Sequence, residues 1–441
     1  MKKKINNSFL LLVLVPAIFI GSRPCRAFFE FEKTPFSIDM GASLRGIFAG
    51  FQNYDDPFIF GNNNSADGMF QGIFRLTADG DMLEWLHYEV HGIQTVLSTT
   101  SGYSSLGMVQ TGNKGMYRFI DTHFDWADSS DFFASMALDR FNIRFSLPWF
   151  DFTVGRQAIN FSKTYFFSPL DVFLPFNPTS FDRDYKPGVD SVKIDIPIGD
   201  FSGITLVGAL GRRLEIRANL QKIDIENGSF RNDVVFGSAF MARAFTTLGD
   251  FDLSVQGGKI YGGYEAGAGF EGEIFTLGIR GEASYFKASS KRKVQHLPMG
   301  ASLYLVEDSV SAVLGIDRQF ENSFYFALEY FYNSAGGGPG DLPVSMVRSM
   351  AGTLLAMGEH ELGLVTTYEP YPLIKLQLAW IFSATDQSTL LSPMVSYSIS
   401  DEADFLFSAY IGLGARPVNG ELKSEYGSYP NVYLGEFKFY F

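Results

Sequence analysis

The chain ends Asn431-Val-Tyr-Leu-Gly-Glu-Phe-Lys-Phe-Tyr-Phe441, and this stretch decides the fold class. Side chains of a β-strand alternate between its two faces. One face of this strand therefore carries Tyr433, Phe437, Phe439 and Phe441, and the other carries Glu436, Lys438 and Tyr440. A strand that is aromatic on one side and polar on the other suits a wall between lipid and water. The alternative is an amphipathic edge strand of a soluble sheet.

A strand that ends the chain on Phe also resembles the recognition signal of bacterial outer-membrane β-barrel proteins. The resemblance implies that the barrel assembly machinery recognises Tyr433, Phe437, Phe439 and Phe441. It also implies a location in the bacterial outer membrane, surrounded by its lipids and lipopolysaccharide.

The first residues are typical of an export signal. Lys2, Lys3 and Lys4 precede an apolar run over 9–20, which is too short to span a bilayer as a helix. Cys25-Arg26-Ala27 places small residues at the −3 and −1 positions of a cleavage site. We therefore expect 1–27 to be a cleaved signal peptide and 28–441 to be a single domain. The only cysteine leaves with the signal, so the mature chain has no disulfide and no thiolate metal site.

Charge and hydropathy restrict the function classes further. The chain has 35 basic and 48 acidic residues, and five of the basic ones lie in the signal. This balance argues against nucleic acid as a partner, because phosphate binding needs clustered Lys and Arg. No mature stretch reaches the roughly 18 consecutive apolar residues of a transmembrane helix. A spanning chain without such helices has to form a closed barrel, which pairs every backbone polar group.

The pattern predicts an all-β transmembrane antiparallel barrel of about 18 strands, with 16 as the alternative because the pair 250–260 and 264–272 is Gly-rich. Short and long connections alternate along most of the chain, as they do in outer-membrane barrels. The predicted strands are 36–49, 68–79, 83–97, 133–147, 149–161, 188–197, 203–211, 233–245, 250–260, 264–272, 274–287, 309–319, 322–333, 359–369, 372–383, 387–400, 403–414 and 431–441.

The same alternation assigns side chains to the interior. A Lys or Arg facing lipid at the bilayer midplane would cost about 2–4 kcal/mol, so charged residues are expected to face inward. The expected pore-lining residues are Arg45, Arg75, Glu89, Arg140, Arg144, Lys193, Asp195, Arg280, Glu282, Glu329 and Lys375. A lumen lined by both signs predicts a charged, water-filled conduit.

Four of these residues, Arg45, Arg75, Arg140 and Arg144, stand on early strands. One hypothesis is a basic ladder that guides anionic solutes, since a charged cleft of low dielectric concentrates counter-ions. The other is that each arginine pairs with a carboxylate of a neighbouring strand and stiffens the wall. The sequence leaves both open.

A further resemblance begins with Phe152-Thr-Val-Gly-Arg-Gln-Ala-Ile-Asn-Phe161. It continues through Pro169-Leu-Asp-Val-Phe173 and Asp182-Arg-Asp-Tyr-Lys-Pro-Gly-Val-Asp190. These elements resemble the alginate-export-like family of outer-membrane porins over about 150–210. The resemblance implies an 18-stranded channel that passes sugars, carboxylates or acidic saccharides.

The connection 162–187 carries aromatic residues that include Tyr165, Phe166, Phe167, Phe173 and Phe176, too many for a freely solvated loop, and four prolines that exclude a continuous helix. We expect it to fold into the lumen and narrow it; the alternative is a cap on the outer rim. The candidate constriction charges are Lys163, Asp171, Asp182, Arg183, Asp184 and Lys186.

Other motifs are weak. His87, Glu89 and His91 share one strand face, but their spacing is loose and a fourth ligand is not evident, so no metal site is predicted. Gly267-Ala-Gly-Phe-Glu-Gly272 lacks the following helix of a nucleotide-binding site.

We expect no cofactor and no enzymatic activity. The favoured function is a porin for small polar or anionic solutes; the alternatives are a structural or adhesive barrel with a plugged lumen and a transporter of hydrophobic substrates. Oligomeric state is left open.

Overall fold

Alternating apolar and polar residues give eighteen long strands within the part of the chain that the computed structural model describes. These described residues are 29–55, 66–100, 115–129, 131–179, 184–218, 223–227, 234–289, 293–294 and 303–441. The strands are β1 (Phe36–Gln52), β2 (Ala66–Leu83), β3 (Leu86–Thr99), β4 (Phe132–Leu147), β5 (Phe150–Gln157), β6 (Val189–Ile198), β7 (Ser202–Ala209), β8 (Ala239–Leu248), β9 (Phe251–Ile260), β10 (Gly263–Ile274), β11 (Leu277–Ala288), β12 (Ser309–Gln319), β13 (Tyr325–Asn333), β14 (His360–Tyr371), β15 (Ile374–Ser383), β16 (Ser388–Ser400), β17 (Ala403–Leu413) and β18 (Asn431–Tyr440).

The sheet closes on itself. Each strand pairs antiparallel with its neighbours in chain order, and β1 pairs with β18, with Ser43 opposite Tyr440 and Gln52 opposite Asn431. Closure removes free sheet edges, as a barrel wall in lipid requires. The expected 18-stranded antiparallel barrel is confirmed and the alternative of 16 is wrong, because the Gly-rich pair forms β9 and β10, which pair residue by residue over 251–260 and 263–272.

Most predicted strand boundaries differ from the structure by one to four residues, and two of the differences have a clear physical cause. The predicted strand 149–161 ends at Gln157, because the chain there leaves the wall and enters the interior. The predicted strand 233–245 begins only at Ala239, because Val234–Gly237 forms a single helical turn. The signal peptide assigned to 1–27 lies outside the described residues, so it stays a prediction.

The two ends of the barrel differ in their connections. At one end, here called the turn end, successive strands are joined by two to five residues; Gly199 and Gly249 supply the left-handed backbone of two turns, with φ of 67° and 60°. At the other, the loop end, the connections are long, apart from 261–262 and 384–387. The predicted alternation therefore holds with two exceptions.

Shorter elements complete the described structure. Phe29–Lys33 pairs with the start of β1, and His123–Asp128 pairs with β4 beyond the point where β5 has ended. Helix Leu342–Met350 belongs to the connection between β13 and β14. No helix among the described residues has the length and apolar character to cross a membrane.

The wall has an apolar outer and a mostly polar inner face. On β1, Phe48 is 63% exposed whereas Arg45 is 5% exposed. The exposed large side chains of other strands are likewise apolar, among them Phe74, Ile143, Val255, Leu314, Phe405 and Tyr433. The wall is therefore divided into an outer and an inner face, as expected. Arg45 and the other inward polar side chains lie in the interior, where the long connections of the loop end can contact them.

Candidate functional site: the lumen and its inward loop

The connection 158–188, here called the inward loop, crosses the interior of the barrel. It leaves the wall after β5 and returns at β6, yet Phe167 stacks on Phe331 of β13 with ring centroids 4.7 Å apart. β13 lies eight strands from β5 in an 18-stranded wall, which is almost half the circumference. Phe166, Phe167, Leu170 and Phe173 are buried, since an irregular chain inside a barrel needs apolar partners of its own.

Two inward carboxylates bind the backbone of this loop. Glu282 on β11 accepts hydrogen bonds from the N–H groups of Lys163 (2.6 Å) and Leu170 (3.1 Å), and from the hydroxyl of Ser168 (2.8 Å). Glu329 on β13 accepts the N–H groups of Phe166 (2.7 Å), Phe167 (3.3 Å) and Tyr165. Hydrogen bonds to a charged acceptor contribute about 1.5–3 kcal/mol each. The sequence placed both glutamates in the pore lining; the structure places them inward but beneath the loop.

A buried ion pair joins the two limbs of the loop. The Nζ atom of Lys186 lies 2.6 and 2.5 Å from the carboxylate oxygens of Asp171. Burial raises the pKa of Asp171, and Lys186 opposes that shift; burial lowers the pKa of Lys186, and Asp171 opposes it. The backbone carbonyl of Lys186 accepts a hydrogen bond from Arg140 on β4 (2.7 Å). These two expected constriction charges therefore fix the loop rather than line an open path.

Tyr185 lies between two of the four early arginines. The guanidinium carbon of Arg75 is 3.5 Å from its ring centroid, and that of Arg140 is 4.2 Å away. Its hydroxyl is 2.9 Å from Nδ1 of His91. Cation–π contacts of this kind contribute about 0.5–2 kcal/mol each. The ring thus covers the side chains that a basic ladder would present to solute.

The four arginines take different partners. Arg45 forms a buried ion pair with Glu436 on the adjacent β18, with Nε 2.7 Å from Oε1. Arg140 binds Glu89 of β3 at 2.9 Å. Arg144 is exposed, opposite His87 and Thr153 in the strand register. Pairing across strands therefore describes Arg45 and Arg140, whereas Arg144 is open to solvent.

The other expected pore residues lie toward the turn end. Lys193 and Asp195 form a partly exposed ion pair of 2.9 Å. Arg280 contacts Asp317 and lies 3.6 Å from Glu271. Lys375 is exposed near the turn after β14. A cavity of about 610 Å³ opens here, and its polar lining includes Asp151, Lys163, Asp195, Thr205 and Arg243.

Of the remaining loop charges, Lys163 lies 3.7 Å from Glu271, and Asp184 is 2.5 Å from Lys438 of β18. Asp182 and Arg183 lie outside the described residues. On β18, Tyr433 and Phe437 are exposed on the outer face, and the rings of Phe437, Phe439 and Phe441 follow one another in contact. The structure does not test recognition of these residues by an assembly machine.

Toward the loop end, the interior is more apolar than the sequence indicated. One cluster groups Tyr117, Phe161, Phe173 and Tyr261 among its members, and a second packs around Phe167 and Phe331. Charged side chains such as Lys193, Asp195 and Arg280 lie toward the turn end, while the inward loop and its neighbours pack apolar side chains in the other half. This half is apolar because a connection that enters the barrel buries its own apolar side chains against those of the wall.

Carboxylates also meet at the loop end. Glu425, between β17 and β18, accepts the N–H groups of Met357 (3.1 Å) and Gly358 (2.9 Å), and its own N–H donates to Asp386 (2.5 Å). The hydroxyl of Tyr426 donates to Glu361 (3.1 Å). Burial raises the pKa of Glu425 to about 7, with Asp386 acting in the same direction and the two N–H groups opposing it.

The raised pKa of Glu425 predicts that the stability of the connection 414–430 depends on pH. Its pKa in the folded state lies above the ordinary value of 4.5. The stability that it contributes is therefore complete below about pH 4.5 and is lost as the pH rises through about 7. We expect hydrogen exchange of 414–430 to be slower at about pH 5 than at about pH 9, after correction for intrinsic rates. Glu425→Gln should remove most of the difference; an equal pH dependence in both proteins would contradict this assignment.

The motif behind the family resemblance forms a buried structural unit. Arg156 pairs with Asp190 through two bonds, Nε to Oδ1 at 2.7 Å and Nη2 to Oδ2 at 3.0 Å. It also donates to the carbonyls of Ile120 (2.6 Å) and Leu138 (3.0 Å) and to the hydroxyl of Thr122 (2.7 Å). The Gly-Arg-Gln motif at 155–157 and the Gly-Val-Asp motif at 188–190 thus contact each other through Arg156 and Asp190. The same arginine binds residues 120–122 to the wall.

Several interior residues escaped the sequence analysis. Tyr185 lies in a loop without periodicity, so nothing in the sequence placed it against two arginines. Arg243 lies in the middle of a strand whose predicted start was six residues too early, and Gln256, whose side chain donates to the carbonyl of Leu170 (2.8 Å), lies opposite it. Counting alternate positions along β8 and β9 would have found both.

Comparison with known proteins shows the fold. The BenF-like porin from Pseudomonas fluorescens Pf-5 superimposes with a TM-score of 0.54 at 11% sequence identity, over 92% of this chain and 98% of that one. Acinetobacter baumannii OccAB2 gives 0.52 at 9% identity, over 92% and 98%. Pseudomonas aeruginosa OccK11 (OpdR) gives 0.51 at 9%, over 92% and 95%. This chain has a porin fold.

The porin fold, which is that of a bacterial outer-membrane β-barrel, was expected from the strand pattern. At 9–11% identity these similarities establish the fold alone. No protein-family model matches the chain, and no curated protein matches it in sequence. These three structures are a BenF-like porin and the proteins OccAB2 and OccK11 (OpdR), so they give no support to the alginate-export-like family; that resemblance rests on the residues around Arg156 and Asp190 alone.

Proposed function

We propose that this protein is a channel of the bacterial outer membrane that passes small polar or anionic solutes. The observation that carries the proposal is the inward loop, which crosses a closed barrel and leaves a charged cavity toward the turn end. The solved structures most similar in fold include a protein described as a porin. With the turn end in the periplasm, the long connections face the outside, as in other outer-membrane barrels.

The cargo follows from the charges that remain open to solvent. Arg144, Lys193 and Lys375 are at least partly exposed on inward or turn-end positions, next to acidic partners such as Asp195. A lumen of mixed sign suits hydrated polar solutes and disfavours hydrophobic ones. Sugars, carboxylates or acidic saccharides fit this lining, and the resemblance around Arg156 points the same way. In the membrane, lipids and lipopolysaccharide would surround the apolar outer face, and the strand β18 would serve as the assembly signal.

Planar-bilayer recording tests this function. We expect the refolded protein to give stable conductance steps and a defined reversal potential in a salt gradient. Arg144→Glu should shift the reversal potential toward cations, because it reverses an exposed charge inside the barrel. Lys287→Glu is the matched control, since Lys287 is exposed on the outer side of β11 and pairs with Asp308.

Two results of these recordings would contradict the proposal or part of it. An unchanged reversal potential in Arg144→Glu would place Arg144 off the solute path. Absence of conductance from a correctly folded barrel would overturn the channel proposal. The apolar packing around Phe167 and Phe331 would then support a structural or adhesive barrel with a plugged lumen.

A further inference from the structure

Three potential metal ligands meet on the inner wall where β2 and β3 pair. Asp79 lies directly opposite Glu89 in the strand register, and His91 is the next inward residue along β3. One ligand atom from each lies within 4.8 Å of the other two. The sequence analysis considered His87, Glu89 and His91 and predicted no metal. In the structure His87 pairs with Asp81 instead, and Asp79 takes its place in the cluster.

The spacing of these atoms suits a shared cation, because each contact is longer than a strong hydrogen bond. Nε2 of His91 lies 3.3 Å from both carboxylate oxygens of Asp79 and 3.5 Å from Oε1 of Glu89. Charge-assisted N–H···O bonds are shorter, about 2.7–2.9 Å. Ligands placed about 2.0–2.1 Å from a tetrahedral zinc ion are separated from one another by about 3.3–3.4 Å.

The surrounding groups orient the ligands. Nδ1 of His91 is 2.9 Å from the hydroxyl of Tyr185, so a proton on Nδ1 leaves the lone pair of Nε2 facing the two carboxylates. Asn142 donates to Oε2 of Glu89 at 2.6 Å. Metal sites in proteins characteristically hold their histidine and carboxylate ligands through outer hydrogen bonds of this kind.

Charge and access also suit a cation. Arg140 binds Glu89 at 2.9 Å, but the carboxylates of Asp79 and Glu89 together outweigh that single positive charge when His91 is neutral. His91 is buried, whereas the side chain of Asp79 is 50% exposed to the lumen. Water can therefore reach a fourth coordination position from the lumen.

We propose that Asp79, Glu89 and His91 bind one divalent transition-metal ion of the zinc class, with water as the fourth ligand. One imidazole and two carboxylates are a donor set that such ions accept. Through the bond between His91 and Tyr185, the bound ion reinforces the attachment of the inward loop to β3. The site therefore links metal occupancy to the part of the chain that fills the lumen.

Isothermal titration of the refolded, detergent-solubilised chain with Zn²⁺ tests the proposal. We expect one ion per chain, and loss of this binding in Asp79→Asn and in His91→Ala. Tyr185→Phe removes the hydroxyl that bonds Nδ1 of His91 and should weaken affinity by about 10–100-fold. His123→Ala is the matched control, because His123 also lies beside a carboxylate, 3.1 Å from Asp125, but outside the cluster.

Retention of full affinity in His91→Ala, or absence of stoichiometric binding by the wild-type protein, would overturn the metal site and leave His91 as a hydrogen-bonding partner of Asp79. Circular dichroism and heat-dependent gel mobility of each variant establish that the barrel has folded. The measurement needs no transport, so its failure would leave the channel proposal untouched.

Discussion

Replacement of residues 164–179 by a short Gly-Ser linker is expected to raise the single-channel conductance several-fold. The removed segment contains Phe166, Phe167 and Leu170, which pack across the interior, and it releases the bonds to Glu282 and Glu329. Removing chain from a water-filled conduit widens it. Planar-bilayer recording of the variant beside the wild-type protein measures the effect.

The double substitution Glu282→Gln and Glu329→Gln serves as the comparison, because it keeps every residue of the loop and weakens only its attachment. We expect it to increase current fluctuations more than mean conductance, since a neutral amide is a weaker acceptor than a carboxylate. Equal conductance of the linker variant and the wild type would show that the solute path avoids the inward loop, and would remove its role as a constriction.

Substitution of Arg156 by Ala is expected to destabilise the barrel by about 3–5 kcal/mol, the loss typical of breaking one partner from a buried ion pair. Arg156 is 1% exposed, and its removal leaves the Asp190 carboxylate uncompensated together with the carbonyls of Ile120 and Leu138. Reversible urea unfolding in detergent or lipid, followed by tryptophan fluorescence, gives the free energy of unfolding.

The double variant Arg156→Leu with Asp190→Leu should recover much of that loss, because replacing both partners by apolar groups avoids a lone buried charge. Arg144→Ala provides an arginine control on an exposed site, where truncation should change stability by less than about 1 kcal/mol. If Arg156→Ala were as mild as Arg144→Ala, the buried network around Arg156 would not be a structural determinant.

The strands of the wall were predictable from sequence because each one shows its own alternation of apolar and polar residues. Alternation locates residues such as Phe48 and Arg45 on opposite faces without knowledge of any other strand, and short turns such as 249–250 set the order of neighbours. Once all the strands were found, closure between β1 and β18 required no further information.

The site was less predictable because its contacts join parts of the chain that no local pattern connects. Glu329 was expected to line the pore, but its hydrogen-bond partners lie more than 160 residues earlier, in the loop around Phe166. Asp79 was the last residue of a predicted strand, and only the register with β3 brings it to His91. Aromatic content did indicate that 162–187 is buried, yet it carried no information on which strands the loop would meet.

The attachment of the inward loop through its main chain has a consequence for altering the channel. Glu282 and Glu329 bind backbone N–H groups, which every residue except proline supplies. Side chains at Lys163 and Tyr165 can therefore be exchanged while these anchors persist. At these two positions the anchoring atoms belong to the main chain and the variable atoms to the side chain, so a library confined to them would vary the lumen lining while the loop keeps its course.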